Sequence, residues 1–375
     1  MSNVGNSAPK GGGTLETIQI LRAAAVIAVI VSHTFHELGR LLEGRVVAFN
    51  EKAFPGDFGV DLFFVISGFI MVYVSRNAFA RPGAVGKFIK RRLIRIVPLY
   101  WLMTTAMIAV ILIMPDSVHT ATRDPLQWLF SYLFIPHERM TDGLVRPVLG
   151  LGWSLEYEMF FYALFALALF VPRRIAIPLV CALIVSVCTA GAGAVADGRS
   201  TILYFFSRPV TLEFAAGVLL GWFYVAGARL PVWFALASIL AGLGILFADP
   251  AFDEMVEAQR HIYYGIPALL IVSGATLFRN AGDYRASRPL LLAGDASYAT
   301  YLVHPFVLGG LALAARKLRH AEALLPELFS AGFIVIAIAA SLIAGYLVHR
   351  FVDEPMRRGL GRIRFGYTAK AQGTA

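Results

Sequence analysis

The sequence is poor in charged residues. They make up 15% of the 375 residues, whereas 58% are hydrophobic. An average soluble domain has about a quarter charged residues, and burial on folding saturates near about three quarters of the surface of the unfolded chain. A soluble fold could therefore not cover this much apolar surface. The composition favours a lipid bilayer as the surroundings of the protein and excludes a disordered chain.

The sequence is equally poor in cysteine. Cys181 and Cys188 are the only two, and both lie in one apolar run. Two cysteines cannot form the disulfide framework of a small secreted module, so we interpret them as packing residues on one helix face. No His and Cys residues cluster at the spacing typical of metal ligands. The sequence therefore predicts neither a disulfide scaffold nor a metal site.

Apolar runs long enough to cross a hydrocarbon core of about 30 Å recur along the chain. They predict an all-α integral membrane protein, a bundle of about ten transmembrane helices. The runs lie near 17–38, 58–75, 96–114, 147–171, 175–196, 207–226, 230–248, 262–278, 290–313 and 328–350.

Basic residues alternate between the loops on the two sides of this bundle. With a cytoplasmic N-terminus, 20 of the 33 Lys and Arg residues lie on the inner side and 12 on the outer side, and Arg22 lies within the membrane. Cytoplasmic loops carry the excess of Lys and Arg, so we predict that both termini are cytoplasmic. The net charge of +9 then reflects topology, and no nucleic-acid partner is expected. We divide the chain into a disordered cytoplasmic tail (1–16), a transmembrane domain (17–355) and a basic cytoplasmic tail (356–375).

The first run carries ionisable residues, which are costly inside a membrane and often functional. Arg22 and His33 are eleven residues apart, so they share a helix face and lie about 16.5 Å apart along the axis. Glu37 is on the same face, where its carboxylate could hold the imidazole in one tautomer. Alternatively, His33, His36 and Glu37 are ordinary interfacial residues, and Arg22 reaches the cytoplasmic interface along its apolar stem.

The next two segments combine charge with apolar helix. Asp61 lies in the second run and requires a partner, which makes a purely structural ion pair an alternative to a functional role. Arg92 and Arg95 are three residues apart at the start of the third run, where they could bind phosphate groups. Positive-inside topology also explains most of this charge.

Two later runs also contain polar residues. Glu156 and Glu158 point in directions about 200° apart on a helix, so at most one of them faces the same cavity as His33. In the ninth run His304 precedes Pro305, which would kink the helix and free carbonyl groups. His304 either satisfies one of these carbonyls or contributes to a site.

Together these motifs resemble the membrane acyltransferase family 3, enzymes that place acetyl or other acyl groups on sugars of the cell surface. The resemblance covers the chain from Ile18 to about Met356 and rests on six segments. These are Arg22 with His33, the block from Gly59 to Phe69, the block from Phe88 to Pro98, Trp153-Ser154-Leu155 with Glu158, Ser297-Tyr298 with His304-Pro305, and Asp353-Glu354-Pro355 with Arg357 and Arg358.

The resemblance implies a chemistry. A sugar hydroxyl attacks a thioester and needs a base, for which His33 is suited because its pKa lies near neutrality. Glu37 and Glu158 would assist, with Glu158 orienting His33 or binding sugar hydroxyls. The resemblance further implies the phosphate ligands of acyl-CoA and the residues that contact the acceptor. The phosphate ligands are Arg22, Arg91, Arg92 and Arg95, and the acceptor contacts are Trp153, Ser154, Tyr162, Asp61, His304 and Tyr298.

The expected protein is thus a multi-pass O-acetyltransferase of a bacterial inner membrane. Its donor would be acetyl-CoA and its acceptor a glycan, and it would need no metal. It would lie in the lipid bilayer and associate with polysaccharide synthesis machinery. It resembles the members that lack a second, periplasmic esterase-like domain. An acyl-histidine intermediate stays open beside direct transfer. The rival function is a sugar transporter that uses the same intramembrane Arg, His and Glu residues, although the paired broken helices of many transporters are not evident here.

Overall fold

The computed structural model describes residues 16–42, 54–115, 118, 122–195, 201–248, 259–278, 286–317 and 326–362. Within these ranges the regular elements are helices, as the sequence predicts. The α-helices are α1 (Glu16–Leu41), α2 (Phe58–Ser75), α3 (Ala84–Ile113), α4 (Pro125–Leu133), α5 (Trp153–Ala168), α6 (Arg173–Val195), α7 (Thr201–Phe206), α8 (Leu212–Val225), α9 (Val232–Ala248), α10 (Ile266–Leu277), α11 (Arg288–Arg316), α12 (Pro326–Val348) and α13 (Glu354–Arg362). Two π-helical turns, His261–Gly265 and His349–Asp353, precede α10 and α13.

Six helical segments are long and apolar enough to cross a membrane: Glu16–Leu41, Phe58–Ser75, Ala84–Ile113, Arg173–Gly191, Arg288–Arg316 and Leu328–Arg362. Three further apolar helices are shorter, Pro209–Val225, Val232–Ala248 and His261–Leu277. Each of the ten predicted runs overlaps a helix. The helical membrane architecture is therefore confirmed, while the count of ten crossings and the cytoplasmic position of both termini stay predictions.

The third helix begins well before the predicted apolar run at 96. It begins at Ala84 and includes the basic residues from Lys87 to Arg95, which precede the predicted run. The segment is helical because Phe88 and Ile96 are buried on one face, which Arg92 shares, while Lys87 and Arg91 are exposed on other faces. One long helix thereby carries the Arg92 and Arg95 side chains toward the interior.

The two predicted tails fall mostly outside the described residues, which exclude 1–15 and 363–375. The part of the C-terminal tail that is described, 356–362, continues α13 and is helical. The assignment of both tails to the cytoplasm stays a prediction.

Several helices of the bundle pack closely against each other. Helix α1 packs along α11, α2 along α8, and α11 along α12. At the α2 and α8 contact, a Cβ on Gly217 would lie 2.1 Å from the Val65 carbonyl oxygen, and one on Gly68 would lie 2.3 Å from the Phe214 carbonyl oxygen. Glycine at these positions lets the two backbones approach each other. This close contact fixes α2 against α8.

Candidate active site

A cavity of about 480 Å³ lies among α1, α2, α3, α5 and α11, at the Arg22 end of α1. We call it the arginine cavity because four guanidinium groups line it. Its lining includes Arg22, Arg92, Arg95, Ser67, Ser154, Glu158, Tyr298 and Tyr301, together with His349, Asp353 and Arg357. The structure thus brings together three of the four predicted phosphate ligands. Arg91 is exposed and lines a different cavity.

Arg22 is held at the wall of this cavity by neighbouring polar groups. Its Nη1 donates to Gln19 Oε1 at 3.3 Å, and Gln19 Nε2 donates to Asp295 Oδ1 at 2.7 Å. The exposed carboxylate of Asp295 therefore anchors α11 to the start of α1 through Gln19. This chain of hydrogen bonds orients the guanidinium while leaving it partly exposed.

Glu158 belongs to the arginine cavity. Ser67 Oγ donates to Glu158 Oε1 at 3.2 Å, and the Tyr162 hydroxyl donates to the same oxygen. The Arg92 guanidinium lies over the Tyr162 ring, 5.6 Å from its centroid. The structure therefore brings Glu158 and Tyr162 together with Arg92, and it places His304 rather than Glu158 against His33.

Two other predicted contacts, Ser154 and Tyr298, also lie here. Both line the arginine cavity, and the Tyr298 hydroxyl donates to the Ile96 carbonyl at 2.6 Å. Because Ser154 and Tyr298 share the cavity with the arginines, and Tyr162 contacts Glu158 and Arg92 of that cavity, all three are on the side predicted for the donor.

His33 lies near the opposite end of α1 and contacts His304 of α11. The distance from His33 Nδ1 to His304 Nε2 is 2.8 Å, and the ring centroids are 5.0 Å apart. We call these two residues the histidine pair. His304 is fully buried, whereas His33 is partly exposed. The pair is formed by residues that the sequence analysis assigned to different roles.

The surroundings of His304 determine the tautomers of the pair. His304 Nδ1 lies 3.3 Å from the Thr300 carbonyl oxygen, which can only accept a hydrogen bond. Nδ1 therefore carries the proton, and in a neutral His304 ring Nε2 is the acceptor. His33 Nδ1 then donates to it, which leaves the lone pair of His33 on Nε2. This arrangement suits His33 to accept a proton.

Glu37 takes a different partner from the one the sequence predicts. Its carboxylate lies 3.5 Å from Arg40 Nη1, although Glu37 and His33 do share one face of α1. The ring nitrogen of His304 occupies the position at His33 Nδ1 that the prediction gave to a carboxylate. A histidine from another helix thus takes the orienting position, because the close packing of α1 and α11 brings it there.

Beyond the histidine pair lies a cluster of charged residues. Arg260 donates through Nε to Asp61 Oδ1 at 3.0 Å and through Nη2 to Asp61 Oδ2 at 2.6 Å. Arg260 Nη2 also donates to the Asp57 carbonyl at 3.0 Å, and Ser32 Oγ donates to the exposed Asp57 carboxylate at 2.8 Å. Asp61 is fully buried, so it acts as the ion-pair partner of Arg260 rather than as an exposed contact for an acceptor.

Trp153 lies on this second side. The Arg260 guanidinium is 5.6 Å and the Arg146 guanidinium 5.7 Å from its ring centroid. Arg260 was not predicted as a site residue, because it lies just before an apolar run, where a charge is typical of a loop. The sequence indicated that the Asp61 carboxylate needs a partner of opposite charge, but it did not indicate which residue that partner is.

Tyr301 lies between the two sides. Its hydroxyl is 3.0 Å from both Ser154 Oγ and the Leu151 carbonyl, and its ring centroid is 6.0 Å from that of His304. Tyr301 lines the arginine cavity, so a single side chain connects the cavity to the histidine pair.

The arginine cavity also contains three interacting side chains that were not among the predicted site residues. His349 Nδ1 lies 3.0 Å and Arg357 Nη2 2.9 Å from Asp353 Oδ2. The π-helical turn contributes His349 and Asp353 to the cavity, and α13 contributes Arg357. Among the residues that the structure describes, no three His, Cys, Asp or Glu residues are arranged to hold a metal ion.

Comparison with known proteins agrees with these features. The acyltransferase domain of acyltransferase family 3 matches residues 15–350. The exopolysaccharide production protein ExoZ of Rhizobium meliloti (strain 1021) is 34% identical over 314 residues, 82% of this chain and 92% of ExoZ. The acyltransferase MdmB of Streptomyces mycarofaciens is 27% identical over 378 residues, 93% of each chain.

A more distant relative is the O-acetyltransferase OatA of Staphylococcus aureus (strain NCTC 8325 / PS 47), 25% identical over 387 aligned positions. The match covers 94% of this chain and 58% of OatA. The search of solved structures found no match. Because the family match extends over nearly the whole membrane bundle, the chain belongs to acyltransferase family 3 and is a membrane O-acyltransferase.

Proposed function

We propose that this protein moves an acetyl group from acetyl-CoA to a hydroxyl of an exopolysaccharide, a lipid-linked sugar or another cell-surface glycan. The observation that carries the proposal is the arrangement of α1, which has Arg22 in a cationic cavity at one end and His33 in the histidine pair near the other. ExoZ is an exopolysaccharide production protein and OatA an O-acetyltransferase, which supports a glycan acceptor and an acetyl group. The family assignment also favours group transfer over the alternative of transport.

In this proposal the donor occupies the arginine cavity. Arg22, Arg92 and Arg95 bind the phosphates of acetyl-CoA, since guanidinium groups form charge-assisted and often bidentate hydrogen bonds to phosphate. Acetyl-CoA is made in the cytoplasm, so the Arg22 end of α1 faces inward, in agreement with the positive-inside prediction. The thioester reaches toward Ser154 and Tyr301, the part of the cavity that is nearest the histidine pair.

The acceptor approaches from the His33 side. His33 is partly exposed there, its neighbour Ser32 is hydrogen-bonded to Asp57, and Arg260 contacts both the Asp57 carbonyl and the Trp153 ring. Asp57 and Ser32 offer hydrogen bonds to sugar hydroxyls, and Trp153 offers an aromatic surface. We therefore assign the acceptor to this side, in place of Ser154, Tyr162 and Tyr298.

The chemical step is a direct acyl transfer. His33 Nε2 takes the proton of the sugar hydroxyl as its oxygen forms a bond to the acyl carbon. The carbon–sulfur bond breaks, and the imidazolium returns the proton to the leaving thiolate, so that free CoA and a sugar ester result. The hydrogen bond to His304 keeps His33 in the tautomer that this step requires.

The proposal is tested by mass spectrometry of surface polysaccharide from a deletion strain complemented with the wild-type protein, His33→Ala or His36→Ala. We expect the wild type and the control His36→Ala to restore the mass of one acetyl group per modified sugar, because His36 is exposed on α1. His33→Ala should insert normally and restore none. Wild-type acetylation by His33→Ala would reject His33 as the base.

A further inference from the structure

A second cavity, of about 370 Å³, lies beside the arginine cavity, between the end of α2 and the start of α3. We call it the basic cavity. Arg81, Lys87, Arg91 and Arg92 line it, and Val74 and Arg92 also line the arginine cavity. The two cavities therefore meet at a shared arginine.

The charge in the basic cavity is of one sign. Among the described residues that line it there is no Asp or Glu, and no ion pair is described for Arg81, Lys87 or Arg91. Lys87 and Arg91 are four residues apart on α3, so they lie one above the other on one helix face. Positive-inside topology accounts for basic residues at this end of the bundle, but it does not require them to converge on one concave surface.

Two further features suit this surface to an anion. Arg92 Nε is buried without a hydrogen-bond partner, although the rest of its guanidinium lies over the rings of Phe88 and Tyr162. Helix α3, which is 30 residues long, begins at the cavity with Ala84, and a helix N-terminus carries a partial positive charge. Pro82 and Phe88 add apolar surface.

We propose that the basic cavity binds the 3′-phosphate at the adenosine end of acyl-CoA, while the arginine cavity holds the diphosphate and the pantetheine arm. This inference rests on the proposed function, because it assumes the same donor. The 3′-phosphate is a phosphomonoester that carries up to two negative charges, which four cationic side chains match. The head group of an anionic lipid shares this chemistry, so the experiment must separate the two sources.

The test compares acetyl-CoA with 3′-dephospho-acetyl-CoA in zwitterionic nanodiscs, using the wild type and the double variant Arg81→Ala/Lys87→Ala. Losing charge-assisted hydrogen bonds to one phosphate should raise the KM of the wild type about tenfold for the dephospho donor. The double variant should have a similarly raised KM for acetyl-CoA, an unchanged kcat and little remaining preference between the donors. The matched control Arg173→Ala/Arg174→Ala removes the same charge from the same predicted side and should keep the wild-type preference.

Equal KM values for the two donors in the wild type would overturn the inference, and so would a full donor preference in a folded double variant. A parallel series adds phosphatidic acid to the nanodiscs. If the double variant loses only a response to this lipid and keeps the donor preference, the cavity binds a lipid head group and the inference is wrong. Absence of any transfer from acetyl-CoA by the wild type would instead reject the proposed function.

Discussion

Replacement of His304 tests whether one histidine orients the other. The ring of His304 accepts from His33 Nδ1 at 2.8 Å and is itself fixed by the Thr300 carbonyl at 3.3 Å. In His304→Ala the proton of His33 is free to move to Nε2, which removes the base, and general-base catalysis contributes about 10²- to 10⁴-fold. We expect kcat to fall about 10²-fold, while the KM for acetyl-CoA stays within about twofold because the arginine cavity is unchanged.

His304→Gln is the matched control for this prediction. Its amide oxygen can reach the position of Nε2 and accept the same hydrogen bond, so kcat should recover to within about tenfold of the wild-type value. Transfer of radiolabelled acetyl to polysaccharide measures both variants, and gel filtration confirms that each remains folded.

The pH profile of kcat separates orientation from simple packing. The groups whose charge acts on His33 are Asp57, His36, Arg40 and Arg146, besides His304. All of these groups except His304 remain in both variants. If the pH profile of kcat shifts in His304→Ala and returns in His304→Gln, the shift is therefore caused by the loss of the histidine pair. Full kcat in His304→Ala, or equal loss in the two variants, would refute the reasoning.

Three further predictions concern the donor, the packing and a loop. Arg92→Ala should raise the KM for acetyl-CoA about tenfold, because a charge-assisted phosphate contact is lost, and an unchanged KM would remove this role. Gly217→Ala should lower Tm, because its Cβ would lie 2.1 Å from a carbonyl oxygen of α2, and overpacking typically costs about 1 to 3 kcal/mol. The control Gly309→Ala, whose Cβ meets nothing within 4 Å, should not lower Tm. Hydrogen bonds from Arg139 lower the pKa of Asp142. This carboxylate therefore stabilises the loop at neutral pH, and the contribution is lost as pH falls through the lowered pKa. The Tm difference between wild type and Asp142→Asn should shrink in acid, and a constant difference would contradict the assignment.

Local patterns in the sequence were sufficient for the membrane class, the helices and the shared face of Arg22 and His33. Each depends on hydrophobicity over about twenty residues or on the 3.6-residue period of a helix. The same reasoning misplaced the start of α3. Hydropathy places the start of an apolar run after a basic segment, although Phe88 within that segment is buried against other helices and extends α3 to Ala84.

The partners of the site residues depended on the tertiary structure. His33 meets His304 across 271 residues of chain, and Asp61 meets Arg260 across 199. No local period relates such residues, because their proximity follows from how α1 packs on α11 and α2 approaches the turn before α10. The sequence by itself therefore determined which chemical groups lie inside the membrane, whereas helix packing decided which of them touch. It paired His33 with a second histidine in place of a carboxylate, and it placed one arginine, Arg92, between two cavities.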